Sequence, residues 1–161
     1  MLSFTADEAW EHFIRVPGES IFVHDAYALP QMLDAAELTQ RWGAVREVRG
    51  QVQKELEELR VRGAIGSALA AEVEVYAADE RYRALASLGE DLRFVFITSA
   101  ARVSQAPDAD QERIVVSASP HQKCPRCWHY RADVGADAAH PELCGRCVAN
   151  LFGAGEPRTH A

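Results

Sequence analysis

Cysteine is absent from the first 123 residues of this 161-residue chain, and lysine occurs only twice, as Lys54 and Lys123. Apolar runs such as residues 94–97 are far too short to cross a bilayer, which takes about 20 residues. After Met1 the chain reads LSFTADEAW, with neither the basic start nor the apolar stretch of a secretory leader. A reducing cytoplasm is therefore the expected setting, where paired cysteines serve metals more often than disulfides. No Walker A loop, G-x-G-x-x-G, G-x-S-x-G or H-E-x-x-H is present, which excludes the catalytic sites those motifs mark. Glu72 and Glu74 are the nearest approach to a carboxylate pair, and their alternation reads as a solvated strand face. Positive charge is in the minority, with 17 Lys and Arg against 24 Asp and Glu for a net charge of −7. That balance argues against a general nucleic-acid coat but permits a local basic face, because binding depends on where cations cluster.

What is present reads as alternating short elements. The stretch FTADEAWEHFI has Thr5 and Glu8 at capping-box spacing and gathers Trp10, Phe13 and Ile14 on one helical face. One such helix cannot bury three large apolar residues alone, so it reads as the end of a bundle. VPGES at 16–20 stops it, and SIFVHDAY is expected to be extended. A long helix follows, with Asp34 and Glu37 again at capping-box spacing and an end near Gly63. Leu38, Trp42, Val45, Val48, Val52, Leu56 and Leu59 step by three or four residues into one apolar stripe. Arg41, Arg46, Arg49, Lys54, Arg60 and Arg62 stand against Glu47, Glu55, Glu57 and Glu58 on the rest of this helix. That is a local basic excess, readable either as a solvated face with i,i+4 pairs or as a surface for phosphates. Strand candidates are AEVEVYA, the continuous apolar run LRFVFIT, and RIVVSAS, with a short helix DERYRALASLGE closed by Gly89. The polar loop SQAPDADQ at 104–111 is expected to join the last two strands.

The four cysteines form two C-x₂-C pairs, Cys124 with Cys127 and Cys144 with Cys147, separated by 16 residues. Two-residue spacing turns both sulfurs of a pair toward one point, and two such knuckles complete a tetrahedron. Four thiolates leave no open position for water, so the expected cofactor is one structural Zn²⁺; rubredoxin-like iron and disulfides are the competitors. Pro125 stiffens the first turn, and Gly145 is expected to give the second a positive φ. Structural zinc in small fingers contributes on the order of 10–16 kcal/mol of folding free energy, enough to order a segment with few large apolar residues. His129 and His140 are surplus as ligands once four cysteines are in place. Lys123, Arg126, Arg131 and Arg146 surround the site in sequence and offset its negative charge. Trp128 either covers the metal or stacks on an unpaired base between cations that hold phosphates, with Tyr130 available to share the two roles.

Taken together, these residues resemble the C-terminal end of bacterial-type isoleucyl-tRNA synthetase. KCPRCWHYRADVG with HPELCGRCVANL is similar to that family's terminal zinc finger, and LSFTADEAW resembles the last part of its helical anticodon-binding domain. VREVRGQVQKELEELRVRGAIGSALAAEVEVYA resembles the segment between the two. The resemblance implies tRNA binding near the anticodon of tRNA-Ile, zinc ligation by Cys124, Cys127, Cys144 and Cys147, and a catalytic body acting in cis or in trans. The family's His-Ile-Gly-His and Lys-Met-Ser-Lys-Ser signatures are absent, so ATP-dependent ligation is not expected of this chain alone. Candidate RNA contacts are Arg46 and Arg49 on the long helix and Lys123, Arg126, Trp128, His129 and Arg131 in the finger. The finger of formamidopyrimidine-type DNA glycosylases has a similar spacing, but those enzymes begin with Pro-Glu after Met, where this chain has Leu2 and Ser3. A free-standing zinc-ribbon adaptor for a protein or nucleic acid is the alternative from another class.

The expected fold class is α+β: a partial helical bundle and a long helix with a small mixed α/β sheet unit, followed by a C-terminal four-cysteine zinc ribbon. The expected divisions are 1–33 (end of the helical anticodon-binding domain), 34–120 (α/β junction), 121–152 (ribbon) and 153–161 (loose tail). A cytoplasmic monomer with no membrane contact is expected.

Overall fold

A computed structural model describes residues 2–14 and 18–156. It divides into two compact units, Met1–Ala35 and Ala36–Ala161.

In the first unit, helix α1 (Ser3–Ile14) is followed by a 3₁₀ turn at Ile21–Val23. α1 begins at Ser3, so Thr5 lies inside the helix and does not cap it as the Thr5–Glu8 spacing predicts. The carboxylate that matters is Asp7. Its Oδ1 accepts from Ser20 Oγ at 2.6 Å and from the Ile21 amide at 3.1 Å, clamping the return of the chain. Ser20 caps the 3₁₀ turn by accepting from the Phe22 amide, and Trp10 packs against the His24 ring with centroids 5.0 Å apart. The expected extended run over SIFVHDAY is thus a tight turn first, with no regular element over 25–32. None of the described side chains of this unit is fully buried. Phe4, Phe13, Tyr27, Leu29 and Leu33 are largely exposed.

The second unit opens with helix α2 (Ala35–Val61). Its stripe buries Val45, Val48, Val52 and Leu56, with Leu59 packed at the margin, while Trp42 stays exposed at 36%. Gly63 adopts φ +74, and its amide bonds to the Arg60 carbonyl while the Ala64 amide reaches back to Leu59. Those two bonds are a Schellman ending, the reason a glycine is needed there.

A three-stranded sheet receives the stripe. Strands β1 (Ala71–Ala77), β2 (Ala100–Gln105) and β3 (Arg113–Ala118) lie in the order β2-β1-β3. β1 runs parallel to β2 and antiparallel to β3, with Val75 opposite Val103 and Ile114. Ala71, Val73, Val75 and Ala77 face the core. The parallel crossover carries α3 (Asp79–Ala86) and the short helix α4 (Leu92–Phe96).

Two expectations are corrected here. The apolar run LRFVFIT is helical, because Leu92 and Phe96, four residues apart, are each only 1% exposed on one face. The second strand is instead the less apolar AARVSQ, an edge strand that offers Ala101 and Val103 to the core. Glu72 is not simply solvated: its Oε1 accepts from Ser119 Oγ at 2.7 Å, and His121 and Arg102 stand 3.6 Å and 3.8 Å from its carboxylate. Among the described residues no helix is long and apolar enough to cross a membrane.

Candidate metal centre

A two-stranded ribbon pairs β4 (Gln122–Lys123) with β5 (Tyr130–Arg131), and the first cysteine pair sits in the turn between them. The turn is closed by the Trp128 amide bonding to the Cys124 carbonyl and the Cys124 amide bonding to the His129 carbonyl, both at 2.9 Å. Trp128 takes φ +66 to complete it. Cys144 caps helix α5 (Gly145–Phe152), and Cys147 lies in its first turn.

All four sulfurs lie within 4.8 Å of one another. The Sγ–Sγ separation is 3.8 Å for Cys124–Cys147 and 3.7 Å for Cys127–Cys144. Zinc–sulfur bonds of about 2.3 Å in a tetrahedron place ligand sulfurs about 3.8 Å apart, so the cage has the size the ion needs. A disulfide would bring two sulfurs to about 2.05 Å, and the cysteines are free. Cys124, Cys144 and Cys147 are fully buried, with Val134 and Leu143 packed on the cluster. The cage is closed and fits one structural zinc.

Local charges differ around the cage. Burial opposes ionisation of Cys124, but the backbone amides of Cys127, Cys144 and Arg126 outweigh it and lower the thiol to about 6. Burial pushes the Cys127 and Cys144 thiols up. Arg126 reaches Cys147 Sγ at 3.5 Å, a positive partner for a thiolate-rich site.

Gly145, in the second knuckle, does not have the positive φ expected of it; the left-handed residue beside the cage is Trp128, in the first knuckle. Gly145 is needed for close approach: a Cβ there would meet Asp133 Oδ2 at 2.9 Å. Asp133 joins the two knuckles, accepting from the Gly145 amide at 3.2 Å and from Arg131 Nε at 2.9 Å. Burial works against the Asp133 carboxylate, yet Arg131 and the Gly145 amide hold it below its ordinary value.

The candidate contact residues separate into two groups. Trp128 is 59% exposed, with Lys123 Nζ 5.4 Å from its ring centroid, and Arg126 is exposed beside it in sequence. Trp128 therefore does not cover the cage. His129 and Arg131 face inward. His129 Nδ1–H donates to the Cys127 carbonyl at 3.1 Å, its ring meets the edge of Phe94, and burial lowers its proton affinity. Arg131 is held by Asp133. On α2, Arg46 is exposed, while Arg49 Nε donates to the Val95 carbonyl at 2.9 Å and so ties α2 to α4. His140 is no ligand; its ring stacks on Phe152 at 3.9 Å.

Sequence reasoning missed the residues that seat the ribbon on the sheet. Phe94 has the Arg146 guanidinium 5.0 Å from its centroid on one side and the His129 ring on another. Ser99, 2% exposed, donates its hydroxyl to the Leu69 carbonyl and accepts from the Tyr130 amide at 2.6 Å. The signal available in the sequence is the polar pair Thr98–Ser99 directly after an apolar run.

The cage, its ribbon and its seat on a small mixed sheet define a zinc-finger protein. Residues 122–150 match the zinc finger found in FPG and IleRS. Over its whole length the chain is 55% identical to the isoleucine–tRNA ligase of Janthinobacterium sp. strain Marseille, covering 17% of that protein. The corresponding ligases of Cupriavidus pinatubonensis and Burkholderia multivorans are 55% and 56% identical over 99% of the chain, again 17% of each protein. The chain belongs to the isoleucine–tRNA ligase family and corresponds to its C-terminal part.

Proposed function

We propose that this chain is the tRNA-gripping part of an isoleucine–tRNA ligase. It holds the anticodon region of tRNA-Ile while a catalytic body, outside this chain, joins isoleucine to the tRNA. The observation that carries the reading is Trp128: a large ring, more than half exposed, at a backbone position that favours glycine. A left-handed conformation costs an L-residue about 1–2 kcal/mol, and such strain persists where the side chain is used. Lys123 beside the ring supplies a cation of the kind that accompanies a stacked base, and Arg126, exposed two residues before Trp128 in sequence, is a second candidate. Arg46 and Arg49 on α2 are the second contact in this reading, with Arg46 the freer of the two. Residues 1–33 then belong to a helical domain whose remaining helices cover the exposed Phe4, Phe13 and Leu33, residues 34–120 join it to the finger, and residues 121–152 are the finger. The protein acts in the cytoplasm as a monomer.

Trp128→Gly tests the stacking role of the ring. The variant should keep its zinc, and hold it at least as stably, because the strain is relieved. It should lose roughly 1–3 kcal/mol of tRNA-Ile affinity in a gel-shift titration, the usual worth of one base stack. Undiminished tRNA affinity with zinc intact would remove the finger's exposed face from the interface. Preference for tRNA-Ile over a non-cognate tRNA should also vanish on chelation.

A further inference from the structure

A crevice of about 180 Å³ lies between the sheet edge and the ribbon, lined on one side by Ser99, Arg102 and Arg93 and on the other by His121 and Arg131. Its charges are unevenly committed. Glu72, one of its lining residues, already accepts from Ser119 and stands beside His121 and Arg102. Glu90 bonds to Arg93 Nη1 at 2.7 Å but is itself almost wholly in solvent, its side chain 89% exposed. Arg93 is the unusual member. It is only 9% exposed, and its buried Nε has no hydrogen-bond partner among the described residues. This guanidinium, which cannot lose its proton, lies over the Phe94 ring with Cζ 4.8 Å from the centroid and is held out of water with its Nε donor unused. Arg93, Arg102 and Arg131 line the crevice beside Glu72 and Glu90; both carboxylates are partnered and Arg131 is paired with Asp133, so the unused Nε donor of Arg93 and the exposed Arg102 are what the crevice can offer.

We propose that this crevice is a phosphate seat that takes one backbone phosphodiester of the bound RNA. The proposal rests on the tRNA reading above and adds to it a defined subsite apart from the Trp128 ring. Arg93 and Arg102 are its donors, and Ser99, through its bond to the Tyr130 amide, fixes the width between sheet and ribbon. Arg131 lines the crevice yet stays pinned to Asp133, so it contributes field more than a free fork. Chemically the site suits an anion with several acceptor oxygens, which a planar fork recognises better than an ammonium does. β5 carries Arg131 three residues after Trp128, so base and backbone contacts would come from one short stretch of ribbon.

The test uses the full chain and an anticodon stem-loop RNA in which each loop phosphate in turn is replaced by an uncharged methylphosphonate. With the unaltered protein, neutralising one position should weaken binding roughly tenfold, the effect of losing a charge-assisted contact. In Arg102→Ala, and separately in Arg93→Lys, that same position should become insensitive. In Arg102→Ala the slope of log affinity against log salt should also fall by about 0.7 to 0.9, the share of one phosphate, whereas in Arg93→Lys, which keeps the charge, the slope should not change. Arg102 is exposed and its removal spares the core; Arg93→Lys keeps the charge and removes the fork. Additive losses, in which the RNA change costs as much in the variants as in the parent, would overturn the crevice while leaving the Trp128 contact standing. No binding of the stem-loop to the unaltered chain would overturn both.

Discussion

Gly145 illustrates how a single absent atom organises the finger. The Asp133 carboxylate lies where a Cβ would stand, and that carboxylate ties the first loop to the second knuckle. Gly145→Ala should displace Asp133, leave Arg131 without its partner and destabilise the zinc-bound finger by about 1–2 kcal/mol, the loss of a partly buried charge-assisted bond. Competition with a chromophoric chelator measures it, with Arg146→Ala as a control that leaves Asp133 in place. The cysteines themselves were fully legible in the sequence, because their spacing is the chemistry: sulfur reach and tetrahedral closure depend on little else. The roles of the neighbours were not. Arg131 and His129 look like contact residues in a string of letters, but only the folded ribbon turns one toward Asp133 and the other toward Phe94. Glycine at 145 suggested a turn, and spacing alone does not distinguish a positive φ from a close approach.

At the scale of elements, α4 is where periodicity misled. Apart from Arg93 and Thr98 at its margins LRFVFIT is apolar, so it shows neither a clear period of two nor one of 3.6, and strand and helix remain equal until packing chooses. Packing chose a single helical turn between α3 and the edge strand, and it ended on Ile97 in the left-handed region at φ +59. A β-branched residue there is strained, and half of Ile97 is exposed, so little burial compensates. Ile97→Asn should therefore stabilise the second unit by about 0.5–1 kcal/mol in urea unfolding, since asparagine tolerates this conformation. Unchanged or reduced stability would show that the left-handed conformation at Ile97 carries no strain that asparagine relieves. α2, by contrast, was readable almost to the residue. Its stripe and its glycine ending are local rules, and twenty-seven residues give a period ample room to declare itself.

For the molecule as a whole, the metal and the proton are linked. The Cys124 thiol sits low, at about 6, whereas Cys127 and Cys144 sit above their ordinary value. At pH 7 the metal-free finger thus holds one ready thiolate and at least two protons that zinc must displace. Zinc affinity should rise with pH, and calorimetry in buffers of differing ionisation enthalpy should count at least two protons released per ion. In the metal-free state the sign for Cys124 follows from its lowered value: its contribution to stability is present above the ordinary thiol range and disappears as pH falls through about 6. Release of fewer than two protons at pH 7 would contradict the burial argument for Cys127 and Cys144.

The hydroxyl of Ser99 has a consequence beyond local bonding. One side chain, almost fully enclosed, gives its hydrogen to Leu69 ahead of the sheet and takes one from Tyr130 in the ribbon. Swivelling of the ribbon against the sheet would strand both groups without water to replace them, so independent wandering of the finger is suppressed. Any partner that docks across this seam meets a surface whose orientation was settled during folding, and association need not spend freedom on setting it.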